Sequence, residues 1–411
     1  MIVGGIVDLN AFEQAAGRHL HKLCIEISTR RVGSRGNQDA TKYFRKTMDD
    51  LGFTTETQPF NCVDLHQGEI SLKSGEKGFK AHISPYSLGC DLTTELVCAS
   101  NLDELQSLEA EGKILLLKGD LTKEQLMPKN FIFYNPESHQ QIYRLLEAKH
   151  PAAIVAATGR NPELAGASYP FPLIEDGDFD IPSAFMTDIE GEELAKFAGK
   201  TVTLKMEAQR IPSNAENVIA RKGSDDGKCV VICAHIDTKA GTPGAVDNAS
   251  GIVALMLLAE LLQDYQSEMA IEIIALNGED YYSAGGEMVY LKTKKENFGS
   301  IMTAINLDGL GYKGYPTTIS FFNCPQLIEE QCRVSINKFP TLTIGEPWYQ
   351  SDHMVFVMNQ VPAIAITTAA FVEMETTIAH TEKDKPDLVD IHLLAESALF
   401  LMDLLSHINM D

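Results

Sequence analysis

The chain has 411 residues, 44% hydrophobic and 22% charged, which excludes collagen-like, low-complexity and disordered classes. At roughly 100–200 residues per domain, that length suggests two or three domains. Asp and Glu number 57 against 34 Lys and Arg, a formal net charge of −23, which repels phosphate backbones and anionic membranes and sets nucleic-acid and membrane partners aside.

Cys24, Cys62, Cys90, Cys98, Cys229, Cys233, Cys324 and Cys332 form no CxxC pair and read as reduced thiols. The N-terminus, MIVGGIVDLNAFEQ, lacks a basic n-region and turns polar at Asp8. No stretch is read as reaching the roughly 18 apolar residues of a membrane span. The expectation is a cytoplasmic chain as it stands, exported if a leader has been removed.

Residues 11–27 carry helical spacing, 40–51 read as a helix stopped at Gly52, and 52–60 are strand-like. The texture changes over 62–210. Short strand candidates, GKILLLKGD (112–120) and AAIVAAT (152–158), flank a helix at 138–149 among proline-bearing loops. This block is expected to be a β-rich insertion without chemistry of its own. From 217 onward, NVIARKG and KCVVICAH are continuous apolar runs, as in strands covered on both faces. An apolar helix at 250–264 follows, capped by Asn248 or Ser250. Strands at 270–278, 303–309, 317–323 and 361–368 alternate with helical stretches, and a helix at 391–408 closes the chain. The alternation predicts an α/β sandwich around a largely parallel or mixed sheet.

In open α/β sheets, ligands gather beyond the carboxyl ends of strands. His235 and Asp237 close the strand CAHIDTK; i and i+2 share a side, which suits an imidazole ligand and the carboxylate that orients it. Asp247 sits in GAVDNASG before a helix, Glu279 and Asp280 leave a strand together, Asp308 ends a strand before glycine, and His380 lies on the loop AHTEKDKPD. Each has a plainer reading: a hydrogen-bonded His, a helix cap, a solvated acidic loop, an Asp-Gly turn. Together they suit zinc, which accepts imidazole and carboxylate, and two zincs can share a bridging carboxylate. A further carboxylate is needed to take a proton from water and hand it to the leaving amine. Glu279 is the candidate, because neighbours in an extended segment diverge.

In that order, AHIDTK, AVDNASG, NGED, NLDG, SDHMVF and AHTEKD resemble the co-catalytic zinc aminopeptidase and glutamate carboxypeptidase family, which includes bacterial leucyl aminopeptidases and vacuolar aminopeptidase Y. The likeness covers 217 to about 411, and RRVGSRGNQDATKYFRKTMDDLGF (30–53) resembles the family's N-terminal segment. The block 62–210 looks like the protease-associated domain that many members insert. The resemblance implies a three-layer α/β/α zinc-exopeptidase sandwich built from 1–61 and 211–411. It implies two Zn2+, or another divalent metal, one on His235 and Asp308 and one on Asp280 and His380. Asp247 would bridge them, Glu279 would be general base and then acid, and Asp237 would orient His235. The Ser351-Asp352-His353 loop is assigned a structural role, and Tyr349 lies where the family often places an oxyanion-stabilising tyrosine. One departure is Asp280, where the family usually has Glu; the lost methylene draws the carboxylate back by about 1.5 Å.

The leading expectation is a di-zinc exopeptidase acting on peptides, an aminopeptidase first. A carboxypeptidase, a dipeptidase or an aminoacyl-conjugate hydrolase would use the same set, with glutaminyl cyclisation a weaker option. A catalytically silent binding homologue is the alternative of another class. Pocket preference and a homo-oligomeric state are not legible in the motifs.

Overall fold

The computed structural model describes residues 2–3, 6–27, 29–224, 227–295 and 297–408. The N-terminal stretch read for a leader falls partly outside them, at Met1, Gly4 and Gly5, as do residues 409–411. The chain divides into two compact units, Met1–Cys62 with Asn214–Asp411, and Val63–Ser213.

The first unit is built on a mixed, largely parallel sheet. Its strand order is Leu342–Ile344, Thr317–Phe322, Ala363–Thr368, Ile301–Leu307, Cys229–His235, Ala270–Leu276 and the end of Thr201–Lys222. Ala363–Thr368, Ile301–Leu307, Cys229–His235 and Ala270–Leu276 run parallel. Thr317–Phe322 and the 218–222 stretch pair antiparallel on either side of them. CVVICAH is buried at every position, as expected for a strand covered on both faces.

Period-two alternation assigns those faces. Val230, Ile232 and Ala234 join one core with helices Leu9–His21, Arg35–Asp50, Ser250–Leu261 and Ile391–Ile408. From the opposite set, Glu272 accepts from Lys294 Nζ at 2.8 Å, and Asn306 Nδ2 donates to Ser351 Oγ at 2.9 Å. Helices Gly285–Lys294 and His353–Val357 cover that side, with Tyr290 and Phe356 rings 5.6 Å apart.

Ser250–Leu261 is buried all round except at Glu260, so its position follows from packing rather than from an amphipathic stripe. Each fully buried leucine in it contributes roughly 1.5–3 kcal/mol. Gly251 lets this helix approach the sheet: a Cβ there would stand 2.7 Å from Leu307 O and 3.0 Å from Ala234 Cβ. Arg35–Asp50 starts earlier than the sequence spacing suggests, because Ser34 Oγ caps it by accepting from Asn37 N at 3.2 Å. The strand read at 52–60 continues to Ser74.

One expectation is corrected. Helix Ile391–Ile408, with mean hydropathy 1.4, is long and apolar enough to cross a membrane. It contains Glu396 and Asp403, and 61% of it is buried, packed against Ser250–Leu261 and Leu9–His21. Its apolar composition serves the core.

The second unit has a parallel run of Cys90–Ala99, Ile114–Leu117, Ala153–Thr158 and Ser183–Thr187, with His82–Ile83 antiparallel at one edge. Alternate residues feed two cores, one around Leu96, Ile114 and Leu116, the other around Val97, Leu115 and Leu117. Helices Leu102–Ser107, Glu137–Lys149 and Asp188–Ala195 complete it. Among the described residues, none of the eight cysteines is joined in a disulfide.

Candidate metal centre

The parallel strands end on one rim, and the polar residues collect there. His235 is the last residue of its strand, and Asp308 directly follows Ile301–Leu307. Glu279 and Asp280 lie just past Ala270–Leu276. Asp247 lies in the turn before Ser250–Leu261 and is joined to Asn248 by a cis peptide. Asn248 Oδ1 accepts from Gly251 N at 3.0 Å, so it acts as a cap for that helix. His380 follows helix Phe371–Thr377 with a left-handed φ of 60°.

Asp247 faces two ways. Its Oδ1 lies 3.2 Å from His235 Nε2, and its Oδ2 lies 3.4 Å from His380 Nε2. Asp308 Oδ1 is 3.5 Å from His235 Nε2, and Asp280 Oδ1 is 2.9 Å from His380 Nε2. The donors therefore sort into two halves, His235 with Asp308 and His380 with Asp280, each sharing one oxygen of Asp247. Donor atoms of His235, Asp247 and Asp280 all lie within 4.8 Å of one another. Despite its shorter side chain, Asp280 reaches this group.

The electrostatics follow from crowding. Burial opposes charge on His235, but Asp308 and Asp247 outweigh it and hold the imidazole well above its usual pKa. For His380, burial is likewise outweighed, chiefly by Asp280, and its pKa is pushed up to about 10. Asp280 resists burial through His380 and stays below the carboxylate range. Glu279 is half-buried; burial raises it well above a free Glu, eased by His235 and reinforced by Asp280, Asp308 and Asp352.

Orphaned atoms in the donor set fit a metal ion. His235 is buried with neither ring nitrogen hydrogen-bonded, and Asp280 Oδ2 is buried without a partner. Buried polar atoms left unpaired are costly, and imidazole nitrogens and carboxylate oxygens at this spacing fit a divalent cation.

Asp237 ties two strand ends together. Its Oδ1 accepts Gly278 N at 2.7 Å and lies 3.9 Å from His235 Nδ1, and its Oδ2 accepts Asp280 N at 3.1 Å. Asn277, one residue earlier, exchanges amide hydrogen bonds with Asn37 at 2.9 and 3.1 Å. His353 is engaged elsewhere, its Nε2 donating to Trp348 O at 2.9 Å. Asp352 is buried with neither carboxylate oxygen hydrogen-bonded, and burial pushes its pKa up to about 7. Tyr349 is 67% exposed, its ring edge-on to Phe322.

Two supporting residues escaped the sequence reading. Asp384 is buried, and its carboxylate accepts Val246 N at 2.7 Å and Asp247 N at 3.0 Å. Fully buried Arg30 donates to Leu23 O, Ile236 O, Pro243 O and Gly244 O at 2.8–3.1 Å. It thereby joins the residue after His235 to the turn that carries Asp247. The acid four residues after His380, and the first arginines of RRVGSR, were the available signals.

Residues 217–405 match the family model described as peptidase family M28. The chain is 22% identical over 365 residues to a probable leucine aminopeptidase 2 of Aspergillus oryzae, covering 82% of this chain and 68% of the relative. It is 22% identical over 361 residues to aminopeptidase YwaD of Bacillus subtilis, covering 82% and 71%. In fold it is similar to an aminopeptidase from Aneurinibacillus sp. strain AM-1, with TM-score 0.73 and 20% identity over 96% of this chain and 93% of that one. A zinc aminopeptidase from Bacillus subtilis gives TM-score 0.72 and 20% identity over 96% and 94%. The 217–405 segment, which carries every candidate metal donor described above, matches the model of peptidase family M28, and the chain is a metal-dependent hydrolase.

Proposed function

We propose that the protein is a di-zinc aminopeptidase that removes residues from the N-terminus of peptides. The observation that carries this reading is the division of Asp247 between His235 and His380. It gives one half-site of His235 and Asp308, a second of His380 and Asp280, and a carboxylate able to bridge them. When bound there, two zinc ions supply Lewis acidity for the scissile carbonyl and lower the pKa of a water.

The chain's own residues do the rest. Glu279, flanked by the anchored Gly278 and Asp280, takes a proton from the attacking water and returns it to the leaving amine. Its raised proton affinity suits both halves of that task. Asp237 orients His235 while fixing the peptide on either side of Glu279. The relatives' names, leucine aminopeptidase and aminopeptidase, support an N-terminal cut over a C-terminal one. The Val63–Ser213 unit is read as a protease-associated-like insertion.

Zinc-reconstituted protein incubated with unblocked peptides, followed by mass spectrometry, tests this. A chelator-sensitive ladder shortening from the N-terminus is expected, and Glu279→Gln should abolish it while metal content stays intact. Shortening from the C-terminus would overturn the aminopeptidase reading, and retained turnover in the variant would overturn the role of Glu279.

A further inference from the structure

Glu375 plays no part in the donor set, yet the fold turns it toward it. It lies on helix Phe371–Thr377, five residues before His380. At helical spacing Phe371, Met374, Glu375 and Ile378 share one face. The other members of that face are anchored on the site's surroundings. The Phe371 ring lies 4.7 Å from Trp348, whose carbonyl holds His353. Met374 is buried with its sulfur against Gly309, the residue after Asp308; a Cβ at Gly309 would stand 2.9 Å from it. Ile378 is buried in the core. Glu375 is thus directed to the strand end bearing Asp308.

The electrostatics agree. Burial pushes Glu375 up to about 7, and its charge is felt together with those of His380, Asp247, Asp308 and Asp280. Its neighbour Glu373, by contrast, accepts from Tyr315 Oη at 2.8 Å. Among the described residues, none gives the Glu375 carboxylate a hydrogen bond or an ion pair. The residue is only half-buried, so a ligand entering the site can meet it. A partly desolvated carboxylate without a partner gains most from a cation that arrives with the substrate. The apolar neighbours Phe371 and Met374 suit the aliphatic stem that carries such a group.

We propose that Glu375 is a specificity-determining residue that binds a cationic group of the substrate, an ammonium or a guanidinium, beside the metal centre. The proposal rests on the exopeptidase reading above and adds to it the class of substrate. The cation has two sources: the side chain of an N-terminal Lys or Arg, or the free α-ammonium of any peptide.

The test compares aminoacyl anilides of lysine and norleucine, which differ by the terminal amino group, in zinc-loaded wild type and Glu375→Gln. Equal zinc content and melting temperature of the two proteins are the control for folding. If the side chain is the source, wild type prefers lysine by about tenfold or more in kcat/KM, and the variant loses that preference. If the α-ammonium is the source, the variant loses about tenfold or more on both substrates, mostly in KM, with their ratio unchanged. Unchanged kcat/KM on both substrates overturns the proposal. Calorimetric binding of L-lysine, L-norleucine and hexanoate needs no turnover and separates this idea from the aminopeptidase reading. Amine-dependent binding that disappears in Glu375→Gln, with no anilide cleaved by wild type, would sink that reading and leave the assignment of Glu375 standing. Amine-independent binding would sink the assignment of Glu375.

Discussion

Asp384 accepts the backbone N–H of Asp247, at 3.0 Å, and that of Val246 beside it, at 2.7 Å. The carboxylate that faces both histidines is therefore held from behind by a second carboxylate. Removing Asp384 leaves two buried N–H groups unpaired and frees the turn. Asp384→Ala is expected to weaken zinc binding about 10–100-fold, as loss of supporting groups does at metal sites. Asp384→Asn, which keeps one acceptor, should fall between. Competition against a chelator of known affinity measures this; an unchanged affinity would show that the turn holds its shape alone.

The two-way orientation of Asp247 predicts the stoichiometry of variants. His380→Ala should retain one tightly bound zinc, because His235, Asp308 and one oxygen of Asp247 remain. His235→Ala should likewise retain one, on the other half. Asp247→Ala should lose tight binding at both. Elemental analysis after gel filtration reads the three proteins directly, and two full equivalents in Asp247→Ala would contradict the shared role.

Arg30 serves four carbonyls at once. Arg30→Met keeps much of the volume but leaves those acceptors buried and unpaired. Each such group costs roughly 1–3 kcal/mol, so the variant should lose at least about 3 kcal/mol of stability. Urea unfolding is the measurement. A loss below about 1 kcal/mol would mean that water replaces the guanidinium.

His353 predicts a pH dependence. Burial lowers its pKa to about 4, from an ordinary value near 6.5. Between those values the unfolded chain binds a proton that the folded chain does not. Its contribution is therefore complete above about pH 6.5 and is lost as pH falls toward 4. The interval corresponds to roughly 3 kcal/mol at most. With chelator present throughout, wild type should lose more stability between pH 6.5 and 4.5 than His353→Gln, whose amide can still donate to Trp348 O. Equal losses would show that His353 does not titrate in this window.

Much of the site was legible because its residues sit where apolar runs stop. CVVICAH reads as a doubly covered strand, so His235 stands out as its terminus; Asp308 does the same after TAINL. The supporting residues carry no such mark. Asp384 acts on N–H groups 137 and 138 residues earlier, and backbone donors have no sequence signature. Arg30 reaches carbonyls 206–214 residues away. Glu375 reads as one more acid near a loop until the helix gives it a face. The closing helix was legible at 391–408, but its packing against Ser250–Leu261 and Leu9–His21 was not, since composition alone does not say what covers a helix.

The grip of Asp237 on Gly278 and Asp280 has a mechanical consequence for the residue between them. With both flanking peptides clamped to one carboxylate, Glu279 is a rigid mount carrying a single hinged arm. In the proposed proton transfer, whatever distance its carboxylate covers between water and leaving amine comes from rotation about its side-chain bonds. The reach of that arm is then fixed by its own length, and the backbone has no slack to lend a shorter one.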